Sequence, residues 1–299
     1  MISFIITSYN SEKTIGRAID SILKQKSNLK YEIIVVDDGS NDNTRAILEN
    51  YYDKIQYYYK ENEGVAIARN FGVNKSKGEY IIFIDSDDYI NKTLLEDIEN
   101  YILQKVELIK WNPIFVYENK NETSKPSSVE FNKVTGVEGF NLLFGKDNLI
   151  DCLWRYAIKK DLIPKFPEGM YHEDFATVPF IILNAKSFVS LQKYEYYYIQ
   201  SENSIMRNSD VKMIRKKIQD KLFHFDSIIE KVDKLNVKKI TKENVKIWAT
   251  NSVLTGINEL DKEDKKYINN ELKKRKISKY IKVRNVKQFI KKIYLIFKY

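Results

Sequence analysis

Apolar and polar positions alternate in short blocks over residues 1–90. Residues 3–7 form an apolar run of strand length. Residues 11–26 follow with Ile15, Ala18, Ile19, Ile22 and Leu23 at helical spacing. A second β-rich run at 31–36 ends in Asp37-Asp38-Gly39-Ser40, where Gly and Ser mark a turn. The pattern then predicts a helix over 44–52, a strand over 55–59 and a helical stretch opened by Glu63-Gly64 that carries Ala66, Ala68, Arg69 and Asn70. A fourth apolar strand at 79–84 closes in Asp85-Ser86-Asp87-Asp88. Strands and helices alternating in such short units predict right-handed crossovers. The fold class is α/β, a mostly parallel sheet flanked by helices.

The middle of the chain mixes a helix near 93–105, a polar loop at 118–128 and further strand-like pieces. The period changes after about residue 210. Val211, Ile214, Ile218, Leu222, Phe225, Ile229 and Val232 predict a long amphipathic helix. Val245, Trp248, Ser252 and Ile257 point to a second, and Tyr267, Ile268 and Leu272 to a shorter third. These signals divide the chain into an α/β domain at 1–210 and a helical C-terminal region at 211–299.

Composition narrows the chemistry. The chain has 299 residues, 43% hydrophobic and 30% charged, which suits a folded core rather than disorder. No run approaches the roughly 18 apolar residues of a membrane span. The start at 2–7 is strand-like rather than basic and then apolar, so no signal peptide is expected. One cysteine, Cys152, excludes an internal disulfide framework and fits a reducing cytosol. Two histidines exclude a multi-histidine metal centre, so any metal must be held by carboxylates. The net charge of +9 is uneven: residues 1–211 carry 25 Lys and Arg against 31 Asp and Glu, and residues 212–299 carry 25 against 10. The basic third suits an anionic partner such as a membrane surface, a phosphate-bearing acceptor or nucleic acid, or is a solvated lysine-rich surface.

The polar clusters after the strands matter more. Residues 7–10, 37–40 and 85–88 each follow an apolar strand, and in a parallel sheet such ends share the edge where ligands bind. Asp85 and Asp87, two apart in extended geometry, point to one side, and paired carboxylates favour a hard cation such as Mg²⁺ or Mn²⁺. The alternative is a turn or helix cap. Asp37 and Asp38 either cap the following helix or accept hydrogen bonds from a base or ribose. Arg69 suits a diphosphate or a surface ion pair.

Four linked motifs carry a resemblance. Thr7-Ser8-Tyr9-Asn10, the run from Val35-Val36-Asp37-Asp38-Gly39-Ser40 to Thr44, Ala68-Arg69-Asn70-Phe71-Gly72, and Gly78-Glu79 through Asp85-Ser86-Asp87-Asp88 together resemble the inverting family 2 glycosyltransferases of bacterial polysaccharide and cell-surface glycan synthesis. Weaker similarity continues through Leu153-Trp154-Arg155, Tyr171-His172-Glu173-Asp174 and Ser204-Ile205-Met206-Arg207. The resemblance implies a GT-A, Rossmann-like fold with a nucleotide-sugar half at about 1–90 and an acceptor half at about 91–210. It also implies a nucleotide-sugar donor, with UDP the expected nucleotide, and a divalent cation, Mn²⁺ or Mg²⁺. Thr7, Tyr9 and Asp38 match positions that hold the nucleoside, and Arg69 a position near the donor phosphates or ribose. Asp85 is expected near the ribose and metal, Asp87 as the direct metal ligand and Asp174 as the catalytic base. Arg207 matches a segment that closes over the diphosphate.

Inversion needs an acceptor hydroxyl to attack opposite the departing nucleoside diphosphate while a carboxylate takes its proton. Asp174, far along the chain, can approach from the acceptor side; its alternative is a cap for the helical run at 176–183. Trp154 either stacks on a sugar or packs in the core, and Cys152 reads as a small hydrophobe. At 287–299 a helix would gather Phe289, Ile290, Ile293, Tyr294, Ile296 and Phe297 on one arc, opposite Lys287, Lys291 and Lys298. That arc suits a peripheral membrane contact on the inner face of the plasma membrane near a lipid-linked or glycan acceptor, or docking on the catalytic domain, or a homodimer. Two rival functions are a sugar nucleotidyltransferase and a nucleic-acid-binding helical module. The first lacks its glycine-rich phosphate loop, and the second lacks a recognisable motif and would set an acidic crevice against phosphate.

Overall fold

The structure, a computed structural model, describes residues 1–117, 122–200, 211–255 and 262–281. The chain divides into two compact units, Met1–Ser204 and Ile205–Tyr299. The first begins β1 (Ile2–Ser8), α1 (Ile15–Leu23), β2 (Tyr31–Asp38), α2 (Thr44–Leu48), β3 (Gln56–Lys60), α3 (Val65–Lys75) and β4 (Tyr80–Asp85). The helix expected over 44–52 ends early, and a 3-10 turn at Glu49–Tyr51 completes it. The strands lie in the order β3-β2-β1-β4, all parallel. The near-continuous apolar runs of β1, β2 and β4 are those of strands covered on both faces, and β1 and β4 are buried almost throughout; β3, at the end of the order, is half-buried. Helix α3 lies close on β1 because residue 72 is glycine: a Cβ there would stand 2.6 Å from Ile5 Cγ2.

The unit continues through β5 (Tyr89–Ile90), α4 (Leu94–Leu103), β6 (Leu108–Tyr117), β7 (Glu122–Ser124), β8 (Phe131–Val134), α5 (Gly136–Leu143), β9 (Tyr156–Lys159), α6 (Glu173–Asn184) and β10 (Phe188–Ile199). Beyond β4 the same sheet runs β9-β6-β10-β5. Strand β9 is antiparallel to β4 and β6, β10 is parallel to β6, and β5 is antiparallel to β10. Strand β7 falls inside the stretch that sequence assigns to a polar loop. It pairs with the end of β6 through a wholly polar segment that carries no alternation to betray it. Between β6 and β9 the core holds ions: Asp147 Oδ1 accepts from Arg155 at 2.7 Å, and Lys110 Nζ lies 3.2 Å from Asp147 Oδ2. Burial and the Arg155 charge pull the Lys110 ammonium down to about 8.

The second unit contains α7 (Val211–Lys234), α8 (Lys239–Leu254) and α9 (Lys262–Lys274). Leu222, Phe225 and Val232 of α7, Val245 and Trp248 of α8, and Ile268 and Leu272 of α9 are buried, as the helical spacing requires. Asp264 is buried against the Arg215 guanidinium. No helix among the described residues is long and apolar enough to cross a membrane. Ile257, Arg207 with its segment, and the amphipathic stretch at 287–299 lie outside the described residues.

Candidate active site

The parallel register brings the polar strand ends to one level. Ser8 stands opposite Asp37, and Thr7 opposite Asp85. Strand β1 lies between β2 and β4, so the crossovers on its two sides part there and open the crevice where α/β sheets bind ligands. Thr7 is half-buried at this edge and Tyr9 stands exposed beyond it. The loops after β1 and β2 are stitched together: Asn10 N–H donates to Ser40 Oγ at 2.9 Å, and Asn41 N–H to Asn10 Oδ1 at 2.9 Å. Gly39, at φ 81°, lets the β2 loop press on the next one; a Cβ there would meet the Asn62 nitrogen at 2.7 Å.

The two aspartates ending β2 have different work. Asp37 is fully buried and accepts from Tyr57 Oη at 3.1 Å and Ser40 N–H at 2.9 Å. Asp38 faces the opening of α3, where Oδ2 accepts from Gly64 N–H at 2.8 Å. Its Oδ1 accepts from Glu63 N–H at 3.1 Å and Lys60 Nζ at 2.6 Å. Lys60 pairs in register with Asp38 across β2 and β3, a relation only the sheet reveals.

Asp85 closes β4 half-buried, and its Oδ1 accepts from Arg69 at 3.0 Å. Asp87 lies two residues on; burial first, and then the Asp85 charge, push its carboxyl up to about 6. The turn is held from below by Arg17, which donates to the Asp87 carbonyl at 2.8 Å, and by the Ser11–Ser86 hydroxyl pair at 2.7 Å. Among the described residues no group of three or more His, Cys, Asp or Glu is arranged around a metal ion. Two carboxylates with water and phosphate oxygens are nonetheless an ordinary donor set for Mg²⁺ or Mn²⁺. A carboxyl raised first by burial and then by a neighbouring carboxylate is what a cation would relieve.

The Ala68-Arg69-Asn70 motif on α3 ties this turn to α6. The Arg69 guanidinium, buried, donates to Asp85 and to Glu173, the first residue of α6. Burial opposes its charge, but Glu173, Asp85 and Asp174 outweigh that cost and hold its pKa above the ordinary value. Asn70 grips the approach to α6 twice, donating to the Phe166 carbonyl at 3.0 Å and accepting from Phe166 N–H at 2.8 Å. His172 precedes the helix in the left-handed region at φ 63°. Asp174 is therefore in the first turn rather than at the cap, and its Oδ1 accepts from Phe175 N–H at 2.7 Å. Its carboxyl is raised well above the usual range by burial, then by Glu173 and Asp151, with Arg69 opposing.

Trp154 belongs to the core. It is 6% exposed and stacks on Tyr196 and Tyr198, with ring centroids 4.4 and 5.3 Å away. The Tyr runs lie in β3 and β10. Cys152 is a free thiol that burial raises well above its ordinary pKa. Arg17, Lys60 and Glu173 are the site residues that spacing alone does not mark, since each acts through tertiary placement.

Residues 3–161 match the model of Glycosyl transferase family 2, and the chain belongs to that family. It is similar to a cholesterol galactosyltransferase of Borreliella burgdorferi, 30% identical over 70% of this chain and 63% of the relative. The poly(ribitol-phosphate) beta-N-acetylglucosaminyltransferase TarS of Staphylococcus aureus is 32% identical over 66% of this chain and 35% of the relative. The chain thus spans less than two thirds of the length of either. Among solved structures, S. aureus TarS 1–349 in complex with UDP-GlcNAc superposes with a TM-score of 0.72 at 24% identity, covering 94% of this chain and 80% of that one. The fold is the GT-A type that the motifs imply. With the family known, the nucleotidyltransferase reading drops out.

Proposed function

We propose that this glycosyltransferase is a metal-dependent inverting enzyme. It moves a sugar from a UDP-sugar to a hydroxyl of a glycan or lipid-linked acceptor in cell-surface polysaccharide synthesis. The observation that supports this reading is the Arg69 bridge from Asp85 to Glu173, which ties the end of β4 to the first turn of α6, the turn that carries Asp174. Thr7, Tyr9 and Asp38 would receive the nucleoside. Asp87, with Asp85, would hold Mn²⁺ or Mg²⁺, whose positive charge, when bound, offsets the charge gathering on the departing diphosphate. The acceptor oxygen attacks the anomeric carbon, the bond to the diphosphate oxygen breaks, and the hydroxyl proton passes to Asp174. A carboxyl raised by burial is a stronger base once ionised, which suits that task near neutral pH. Arg69, committed to two carboxylates, would orient the site, and Arg207 would add charge at the diphosphate.

In this reading 1–210 is the catalytic domain, with the donor half at about 1–90 and the acceptor half at about 91–210. The basic region at 211–299 is an accessory that brings the cytoplasmic enzyme to the membrane face or to a second copy. The named activities of the relatives, on cholesterol and on poly(ribitol phosphate), support a lipid or polymer acceptor for this chain. The test is a panel of nucleotide sugars scored for slow hydrolysis with Mn²⁺ and with Mg²⁺. One UDP-sugar should turn over only with a cation, and hydrolysis indifferent to chelator would defeat the metal assignment.

A further inference from the structure

Asp88, directly after Asp87, is fully buried. Its Oδ2 accepts from Tyr196 Oη at 2.8 Å, and its Oδ1 from Ile199 N–H at 2.7 Å. The Tyr196 hydroxyl in turn accepts from Asp85 N–H at 3.1 Å, and Asp88 N–H closes the turn on the Asp85 carbonyl at 3.1 Å. The hydroxyl thus accepts from Asp85 N–H and donates its own hydrogen to Asp88. A buried carboxylate next to two others is costly, and an apolar residue would fill the space more cheaply. Among the described residues, the groups it holds are the Tyr196 hydroxyl, the Asp85 carbonyl and the Ile199 N–H at the end of β10. Tyr196 is itself immobilised, stacked on Trp154 with an interplanar angle of 16°.

We infer that Asp88 and Tyr196 are positioning residues for cation capture. They form a relay that pins the Asp85–Asp87 turn to β10 so that both carboxylates are presented before any ion arrives. Neither side chain touches the ion or substrate; outer partners of this kind orient ligands and tune affinity through them. The inference rests on Asp85 and Asp87 being the cation ligands, and it makes Asp88 distinct in kind from its two acidic neighbours. Removing the relay should loosen the donor pair without removing it, whereas removing Asp87 removes a ligand.

The test counts free Mn²⁺ by electron paramagnetic resonance in the presence of UDP, with the intact chain and with Asp87→Asn, Asp88→Asn and Tyr196→Phe. Wild type should take up the ion and Asp87→Asn should not. Asp88→Asn and Tyr196→Phe should each bind Mn²⁺ about tenfold more weakly, with UDP binding in chelator unchanged. The double variant should be no worse than the weaker single one, because both break one relay. Tyr196→Phe keeps the ring and its stacking, so it decides the matter if Asp88→Asn does not fold. Wild-type uptake with both relay variants titrating like wild type would overturn this inference alone. A wild-type chain that takes up no Mn²⁺ would overturn the cation reading and the relay with it.

Discussion

Arg69 and Glu173, 104 residues apart in sequence, meet in a buried ion pair, and the same guanidinium holds Asp85. One side chain therefore fixes the distance between the end of β4 and the start of α6. Removing one member of a buried pair leaves the other's charge uncompensated. Glu173→Gln should lower stability by about 3 kcal/mol and lower kcat more than it raises the donor KM, measured by denaturant melts and initial rates. A variant of normal stability and rate would show that the bridge does not organise the site.

Asp174→Asn should reduce transfer by about 10³-fold while nucleotide binding stays near wild type, since the amide keeps the shape but cannot take a proton. Rates and calorimetry on the same preparation check this. Full transfer by the variant would remove Asp174 from its role as base.

Trp154→Phe should cost about 2 kcal/mol of stability and leave the acceptor KM unchanged, because the indole is spent on Tyr196 and Tyr198 inside the core. A raised acceptor KM at unchanged melting temperature would instead put the ring against a sugar.

Glu195 sets a pH dependence unconnected with the reaction. It is buried, accepts from Thr93 Oγ1 at 3.0 Å and shares its surroundings with Asp97 and Lys193. Burial foremost pushes its carboxyl from 4.5 up to about 8. The folded chain therefore keeps a proton that the unfolded chain releases, and stability falls as pH rises from about 4.5 to about 8. Glu195→Gln needs no such proton. It should melt about 4 °C above wild type at pH 8 and level with it at pH 5, by scanning fluorimetry. Parallel pH profiles for the two chains would contradict this.

Much of this site is legible along the chain because the parallel sheet converts a one-dimensional signal into a place. Apolar runs ending in Thr7-Ser8, Asp37-Asp38 and Asp85 are level in the folded register for the same reason that they look alike in sequence. The helical spacings of α7 and α9 likewise mark Leu222, Phe225, Val232, Ile268 and Leu272 as buried, though Tyr267, read on the same face, is exposed and Ile214, Ile218 and Ile229 are half-buried. What sequence does not carry is who faces whom. Arg69 reads equally as a phosphate ligand and as an ion-pairing residue until α6 is brought against α3. Asp88 reads as a third member of an acidic turn until Tyr196 and Ile199 arrive from β10. Strand β7 is a short polar segment paired only with β6, and β9, inserted antiparallel between β4 and β6, has four residues, too few to carry a period.

The central claim is that Asp87 governs cation-assisted donor binding and Asp174 does not. Titration calorimetry of UDP with and without Mn²⁺ separates them. Wild type and Asp174→Asn should gain affinity with the ion, and Asp87→Asn should bind equally weakly in both conditions. An ion effect that survives in Asp87→Asn, or that vanishes in Asp174→Asn, would contradict the account.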